Sequence, residues 1–205
     1  MIIVNCEQGS PAWFAERCGR FTASKFSTLM SGKATIGYKD LIIETAGEIL
    51  TGEVEETYTN AAMERGKELE PEARREFEGM AHPVTEVGFC LPDDEEITEW
   101  VGVSPDGILP DGGLLEIKCP YLKTHLNYIK ANKLPTAYKW QVHGQLFVTG
   151  APYAYFMSYY PKLKPFVIKV YPDREMIQEL KTRLIEAISE VKIEIEKYNN
   201  YEPTE

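Results

Sequence analysis

The chain has 205 residues, 43% hydrophobic and 26% charged, enough apolar content to exclude a disordered chain and enough length for one globular domain with a substantial core. No apolar run approaches the ~18 residues needed to span a bilayer, and Met1 to Gly9 lacks the regions of a signal peptide, so no membrane association and a cytoplasmic protein are expected. With 22 basic against 32 acidic residues the net charge is −10, which excludes a nonspecific coat for nucleic acid but not an enzyme whose positive potential lies only along its substrate path.

In chain order, Met1 to Asn5 is β-prone, and Ser10 and Pro11 suit the N-cap and first position of a helix containing Trp13 to Cys18. The stretch from Trp13 to Lys25 mixes aromatics, basic residues and hydroxyls. It reads either as a phosphate site at a helix N-terminus or as an ordinary cap by Thr22 or Ser24. Tyr38 to Leu50 is predicted helical, with Leu41, Ile42, Thr45, Ile49 and Leu50 near one face and Gly52 as its stop. A second helix, from about Asn60 to Met80, places Ala62, Leu69, Ala73 and Phe77 in its apolar stripe. Of its acids Glu70 lies closest to that stripe, so a half-buried carboxylate needs a partner: either a metal or an arginine, Arg74 or Arg65. Pro71 predicts a kink beside it.

His82 to Leu91 alternates as a strand, Asp93 to Glu96 reads as a solvated turn, and Trp100 to Val103 leads into a hairpin. Helices are predicted over Tyr121 to Ala131 and Thr136 to Gly150, the latter carrying Gln141; Tyr153 to Tyr160 and Phe166 to Tyr171 form a second hairpin. The tyrosines of that hairpin suit core packing better than base stacking. Asp173 to Tyr198 is a packing helix with apolar residues at helical spacing. No repeat or linker is visible, so residues 1–205 read as one α/β domain with a mixed central sheet flanked by helices.

The hairpin over residues 104–118 carries the chemistry. Pro110-Asp111-Gly112-Gly113 turns the chain between two apolar pieces, which sets Asp106 roughly opposite Glu116 and Ile117. Glu116 and Lys118 share one face of their strand, with Leu115 and Ile117 directed to the core. Two carboxylates and an ammonium at one point bind a hard divalent cation or form a solvated ion pair; both readings are open on the hairpin alone. The four cysteines and three histidines (His82, His125, His143) are scattered, and no zinc knuckle, iron–sulfur ligand set or H-E-x-x-H is present.

Taken together, Ser104-Pro105-Asp106-Gly107, then Glu116-x-Lys118-Cys119-Pro120 after nine intervening residues, with Arg17…Thr22-Ala23-Ser24, Gly66-Lys67-x-x-Glu70 and Tyr138-x-x-Gln141-Val142 in this order, resemble the lambda exonuclease family, the YqaJ-like viral recombinases within the PD-(D/E)xK nuclease superfamily. The resemblance spans about Trp13 to Tyr160 and implies a restriction-endonuclease-like fold. It implies that Asp106, Glu116 and the Ile117 carbonyl bind Mg²⁺ or Mn²⁺, that Glu70 joins them at a second metal or through water, that Lys118 assists the attacking water, and that Gln141 orients the water or Lys118. Arg17, Ser24 and Ser104 would hold a terminal 5′-phosphate, and Met63 would help separate the strands. The implied activity is 5′-to-3′ digestion of one strand of linear double-stranded DNA to 5′-mononucleotides, by a ring-shaped homotrimer acting beside a single-strand annealing protein in phage-type recombination.

Overall fold

The computed structural model describes residues 1–54, 61–80 and 83–202. The chain opens with strand β1 (Ile2–Val4) and helix α1 (Pro11–Arg17), whose N-cap is Ser10, its side chain accepting from the Trp13 amide, with Pro11 in the first turn. Strand β2 (Phe21–Thr22) and a 3₁₀ turn over Ala23–Lys25 lead into the single-turn helix α2 (Phe26–Leu29). Neither the Thr22 nor the Ser24 side chain caps the 3₁₀ turn or α2, contrary to the expectation from sequence, because their hydroxyls are engaged with Arg17 and with each other.

Helix α3 (Ile36–Thr51) starts two residues before its predicted start because Thr35 Oγ1 accepts from the Tyr38 amide. It stops at Gly52, whose φ of +71° suits glycine. Its buried face is Tyr38, Leu41, Ile42, Thr45 and Ala46; Ile49 and Leu50, predicted on that face, remain 39% and 40% exposed. Helix α4 (Ala61–Met80) runs through Pro71 and buries Ala73 and Phe77, with Leu69 half-buried and Ala62 exposed. Asn60 and His82, the predicted starts of that helix and of the following strand, lie outside the described residues.

The predicted strand to Leu91 is shorter than its alternation implies. Only β3 (Phe89–Leu91) pairs, antiparallel with β1, while Thr85 makes one isolated bridge to Ile108. Just before β3, Gly88 passes the segment that follows β1 with no room for a side chain: a Cβ there would lie 1.9 Å from the Cys6 carbonyl oxygen. Strand β4 (Val101–Gly102) pairs parallel with β2.

The central sheet has the order β5 (Gly107–Ile108), β6 (Leu114–Lys118), β7 (Ala154–Ser158), β8 (Phe166–Val170), with β6 and β7 parallel and the outer pairs antiparallel. A parallel pair needs a crossover, supplied here by helix α5 (Leu122–Ala131), a 3₁₀ turn over Thr136–Tyr138 and helix α6 (Lys139–Thr149). Both faces of the sheet are covered. Leu114 and Phe156 pack with Val142 and Leu146 of α6, and Leu115, Ile117 and Met157 pack with Ala73 and Phe77 of α4. Of the two readings open for the polar face of β6, a solvated ion pair does not describe Glu116, since residues 114–117 are all buried and Lys118 is half-buried. Helix α7 (Arg174–Asn199) buries Leu180, Leu184, Ala187, Ile188 and Val191 in a third cluster with Phe21, Phe26 and the inner face of α3. The result is a mixed α/β fold in which a short sheet holds one hairpin between two helices.

Candidate active site

The turn at Pro110–Gly113 sets the register of the site. Gly112 takes a φ of +84°, Asp111 Oδ1 accepts from the Gly113 amide at 3.2 Å, and both Asp111 oxygens accept from Tyr153 Oη at 2.8 and 2.6 Å. Gly113 packs against the Tyr153 ring so closely that a Cβ would lie 2.4 Å from it. Gly107 then opposes Leu115 and Ile108 opposes Leu114, so Asp106 falls opposite Glu116 as the turn predicts. Asp106 donates its amide to the Leu115 carbonyl at 2.9 Å, and its Oδ2 accepts from the Ile117 amide.

Glu116 is 1% exposed, and its carboxylate is held by donors on both oxygens. Gln141 Nε2 donates to Oε1 at 2.5 Å, Gln145 Nε2 donates to Oε2 at 2.6 Å, and Lys118 forms an ion pair with Oε1. Lys118 also lies over the Tyr138 ring, 5.3 Å from its centroid. A buried carboxylate is tolerable only with such partners. Half-buried Asp106 is pushed well above the ordinary carboxylate range by desolvation and by the charge of Glu116, against the pull of Lys118. Desolvation pulls the Lys118 ammonium down, but the charges of Glu116 and Asp106 outweigh it and leave it raised.

Glu70, on α4, lies within electrostatic reach of Glu116 and Lys118. Arg74 donates to its Oε1 at 2.7 Å, which selects Arg74 over Arg65 as its protein partner; Arg65 instead donates to the Pro120 carbonyl at 3.0 Å. Desolvation and the charge of Glu116 raise Glu70, while Arg74 and Lys118 oppose them. The acids thus sense one another electrostatically, yet among the described residues no three histidine, cysteine or acidic side chains are gathered closely enough to form a metal cage. Two desolvated carboxylates with oxygen donors alone, and no thiolate or imidazole, nevertheless fit a Mg²⁺-like ion, which ordinarily takes one or two carboxylates and completes its shell with water and substrate phosphate.

Arg17, Ser24 and Ser104 are linked by a chain of contacts through Trp13 and Thr22. Trp13 Nε1 donates to Ser104 Oγ at 2.9 Å, and the Arg17 guanidinium lies over the Trp13 ring, 4.1 Å from its centroid. Arg17 in turn donates to Thr22 Oγ1 at 3.3 Å, and that hydroxyl pairs with Ser24 Oγ at 3.3 Å. Desolvation lowers Arg17 to about 10, partly offset by Glu48, and no carboxylate lies within 4.0 Å of it among the described residues. A held, desolvated guanidinium linked through Thr22 and Trp13 to two serine hydroxyls offers the kind of donors a phosphate site uses. A helix dipole is not part of it, because Ser24 lies within a 3₁₀ turn followed by a single helical turn.

Met63 is 52% exposed in the first turn of α4. His125 and His143 are buried: His125 Nδ1 lies 2.9 Å from Ser158 Oγ and Nε2 lies 3.2 Å from the Lys164 carbonyl, while His143 Nδ1 accepts from the Asp173 amide, so both are structural. All four cysteines are free thiols. An open hollow of about 550 Å³ along α7, lined by Arg174, Gln178, Thr182 and Arg183 among others, contains none of these site residues. Gln145 is the residue that sequence reasoning passed over. Its signal was available: it stands one helical turn after Gln141, so both amides face the same strand.

Comparison with known proteins identifies the family and the fold. The sequence profile of the YqaJ-like viral recombinase domain matches residues 12–152. The alkaline exonuclease LHK-Exo from Laribacter hongkongensis is 34% identical, with a TM-score of 0.83 over 93% of this chain and 96% of its own. The same enzyme in complex with dAMP matches with a TM-score of 0.84 over 92% of this chain and 96% of its own, at 34% identity. A phage related exonuclease from Haemophilus somnus 129PT, 16% identical, shares the fold with a TM-score of 0.65 over 87% of this chain and 96% of its own. No curated protein matches the sequence. The chain belongs to the YqaJ-like viral recombinase domain family and has the fold of an alkaline exonuclease.

Proposed function

We propose that the protein is a Mg²⁺-dependent 5′-to-3′ exonuclease that digests one strand of linear double-stranded DNA from a 5′-phosphorylated end, releases 5′-mononucleotides and leaves a 3′ single-stranded overhang for annealing. The observation that carries the reading is the convergence of Asp106, Glu116 and Lys118 at the hairpin: a binding module has no need of two desolvated carboxylates sharing one ammonium. The 34% identical relative, an alkaline exonuclease also known in complex with dAMP, supports nuclease activity and a mononucleotide product.

Asp106, Glu116 and the Ile117 carbonyl would hold the ion, with Mn²⁺ able to substitute and Glu70 joining directly or through water. When bound, the ion supplies charge stabilisation at the phosphorus centre and a more acidic water. Gln141 and Gln145 donate to the two oxygens of the Glu116 carboxylate, and Gln141 would also orient the attacking water or Lys118. Lys118, raised and protonated, serves better as a positioned cation that offsets charge and orients water than as a base. Arg17, Ser24 and Ser104 bind the terminal phosphate and so register the first phosphodiester on the carboxylates. Met63 parts the strands at the start of α4. The working form is a homotrimeric ring in the cytoplasm, partnered by a single-strand annealing protein; a channel lined by basic residues reconciles the −10 charge with DNA binding.

The test uses linear duplex DNA with one 5′ end phosphorylated and labelled, beside a covalently closed circle, with Mg²⁺ or with EDTA. Metal-dependent release of mononucleotides from the phosphorylated strand, with the circle intact, is expected. Cutting of the circle would replace the end-directed reading with an endonuclease, and no cutting with either Mg²⁺ or Mn²⁺ would leave a DNA-end-binding protein.

A further inference from the structure

We propose that Gln145 is a positioning residue for the metal site: its side-chain amide fixes the Glu116 carboxylate in the orientation that receives the cation. The inference rests on the metal-dependent reading of the site, and it is carried by three observations. Gln145 is 0% exposed, on the buried face of α6 near Val142 and Leu146, where an apolar side chain of similar length would avoid the desolvation of an amide. Its Nε2 donates to Glu116 Oε2 at 2.6 Å while Gln141 takes Oε1, so the two amides together stop the carboxylate from rotating. Its Oε1 is buried with no hydrogen-bond partner among the described residues, an unfavourable arrangement for a residue present only to stabilise the core.

The neutrality of the two amides matters. A second lysine or arginine would also hold Glu116, but would compete with a divalent cation for its charge; an amide donates a hydrogen bond and leaves the full negative charge in place. The placement depends on Gly144, whose missing side chain lets α6 close onto Phe26 and brings the next residue's amide to the strand.

The experiment measures Mn²⁺ affinity of the full chain without DNA, by electron paramagnetic resonance, for wild type, Gln145→Met and Gln145→Asn. Met keeps the length and removes the donor. Asn keeps the amide and withdraws it by one methylene. Cooperative urea unfolding of each variant establishes that it is folded, and either folded variant suffices for the decision. Mn²⁺ binding is expected to weaken by about 10- to 100-fold, the range for residues that orient a metal ligand, with the Mg²⁺ concentration for half-maximal cleavage rising in parallel and kcat at saturating Mg²⁺ little changed. Unchanged Mn²⁺ affinity in a folded variant, or a loss of kcat at unchanged metal dependence, would overturn the positioning role. Failure of wild type to bind Mn²⁺ at all would instead overturn the metal-site reading itself, and this inference with it.

Discussion

At the scale of single residues, the site is a problem of charge in a desolvated place. Asp106 and Glu116 repel each other, and one ammonium is shared between them. Lys118→Ala is expected to lower the cleavage rate by about 10²-fold or more while leaving a folded protein, because a positioned cation is worth most where water is excluded. Retained turnover in a gel-based nuclease assay would reject its role. His125 makes a separate, structural prediction. Desolvation lowers its pKa, against the pull of the Lys164 carbonyl, so the folded chain keeps it neutral to a lower pH than the unfolded chain, where it protonates near ~6.5. Its stabilising effect is complete above the unfolded value and is lost as pH falls through the folded one. Urea midpoints at pH 7.5 and 5.5 should therefore fall more for wild type than for His125→Gln; the raised carboxylates Asp106 and Glu70 are common to both proteins and cancel in the comparison. Equal falls would show that His125 is not the titrating group. That Asp106 falls opposite Glu116 was legible in the sequence because a two-stranded turn leaves few registers. The burial of Glu116 was not, because alternation along a strand does not tell whether the second face of the sheet is covered.

At the scale of elements, α6 links the core to the site. Gly144 is where it touches: a Cβ there would lie 2.2 Å from Phe26 Cδ2 and 3.3 Å from Leu180 Cδ2. Gly144→Ala is expected to destabilise the fold by about 1–3 kcal/mol through overpacking, read from urea unfolding, and to lower nuclease activity by displacing Gln141 and Gln145 together. A variant as stable as wild type would mean that α6 can shift without strain. The second element-level arrangement is the chain of contacts from Ser104 through Trp13, Arg17 and Thr22 to Ser24, which joins α1, β2 and the approach to the hairpin. Arg17→Ala should reduce the preference for 5′-phosphorylated over 5′-hydroxyl ends by on the order of tenfold or more, the worth of a charge-assisted hydrogen bond, with competing labelled substrates as the readout. An unchanged preference would count against the pocket. Trp13 was visible in the sequence as one more aromatic residue; its indole bond to Ser104 spans 91 positions and no local pattern encodes it.

At the scale of the whole molecule, the family and the fold rest on matches over most of the chain, whereas assembly is a proposal with its own test. Light scattering at working concentration, with DNA and Mg²⁺ present, should give three times the monomer mass of 23.3 kDa plus the mass of the bound DNA; one monomer per DNA would sink the ring. The amino-acid sequence by itself determined the helices, whose caps and stops are local: Ser10 and Pro11 at α1, Gly52 after α3, and the apolar spacing of α7 all act within a turn of their own backbone. It likewise determined the hairpin that opposes Asp106 to Glu116, since that register is set by four consecutive turn residues. Only the tertiary structure decided that Ile49 and Leu50 stay exposed, that the strand before Leu91 is cut short, and that Gln145 donates to Glu116. Each of those depends on which element arrives from elsewhere in the chain to cover a face, and burial and pairing energies are properties of the two surfaces together.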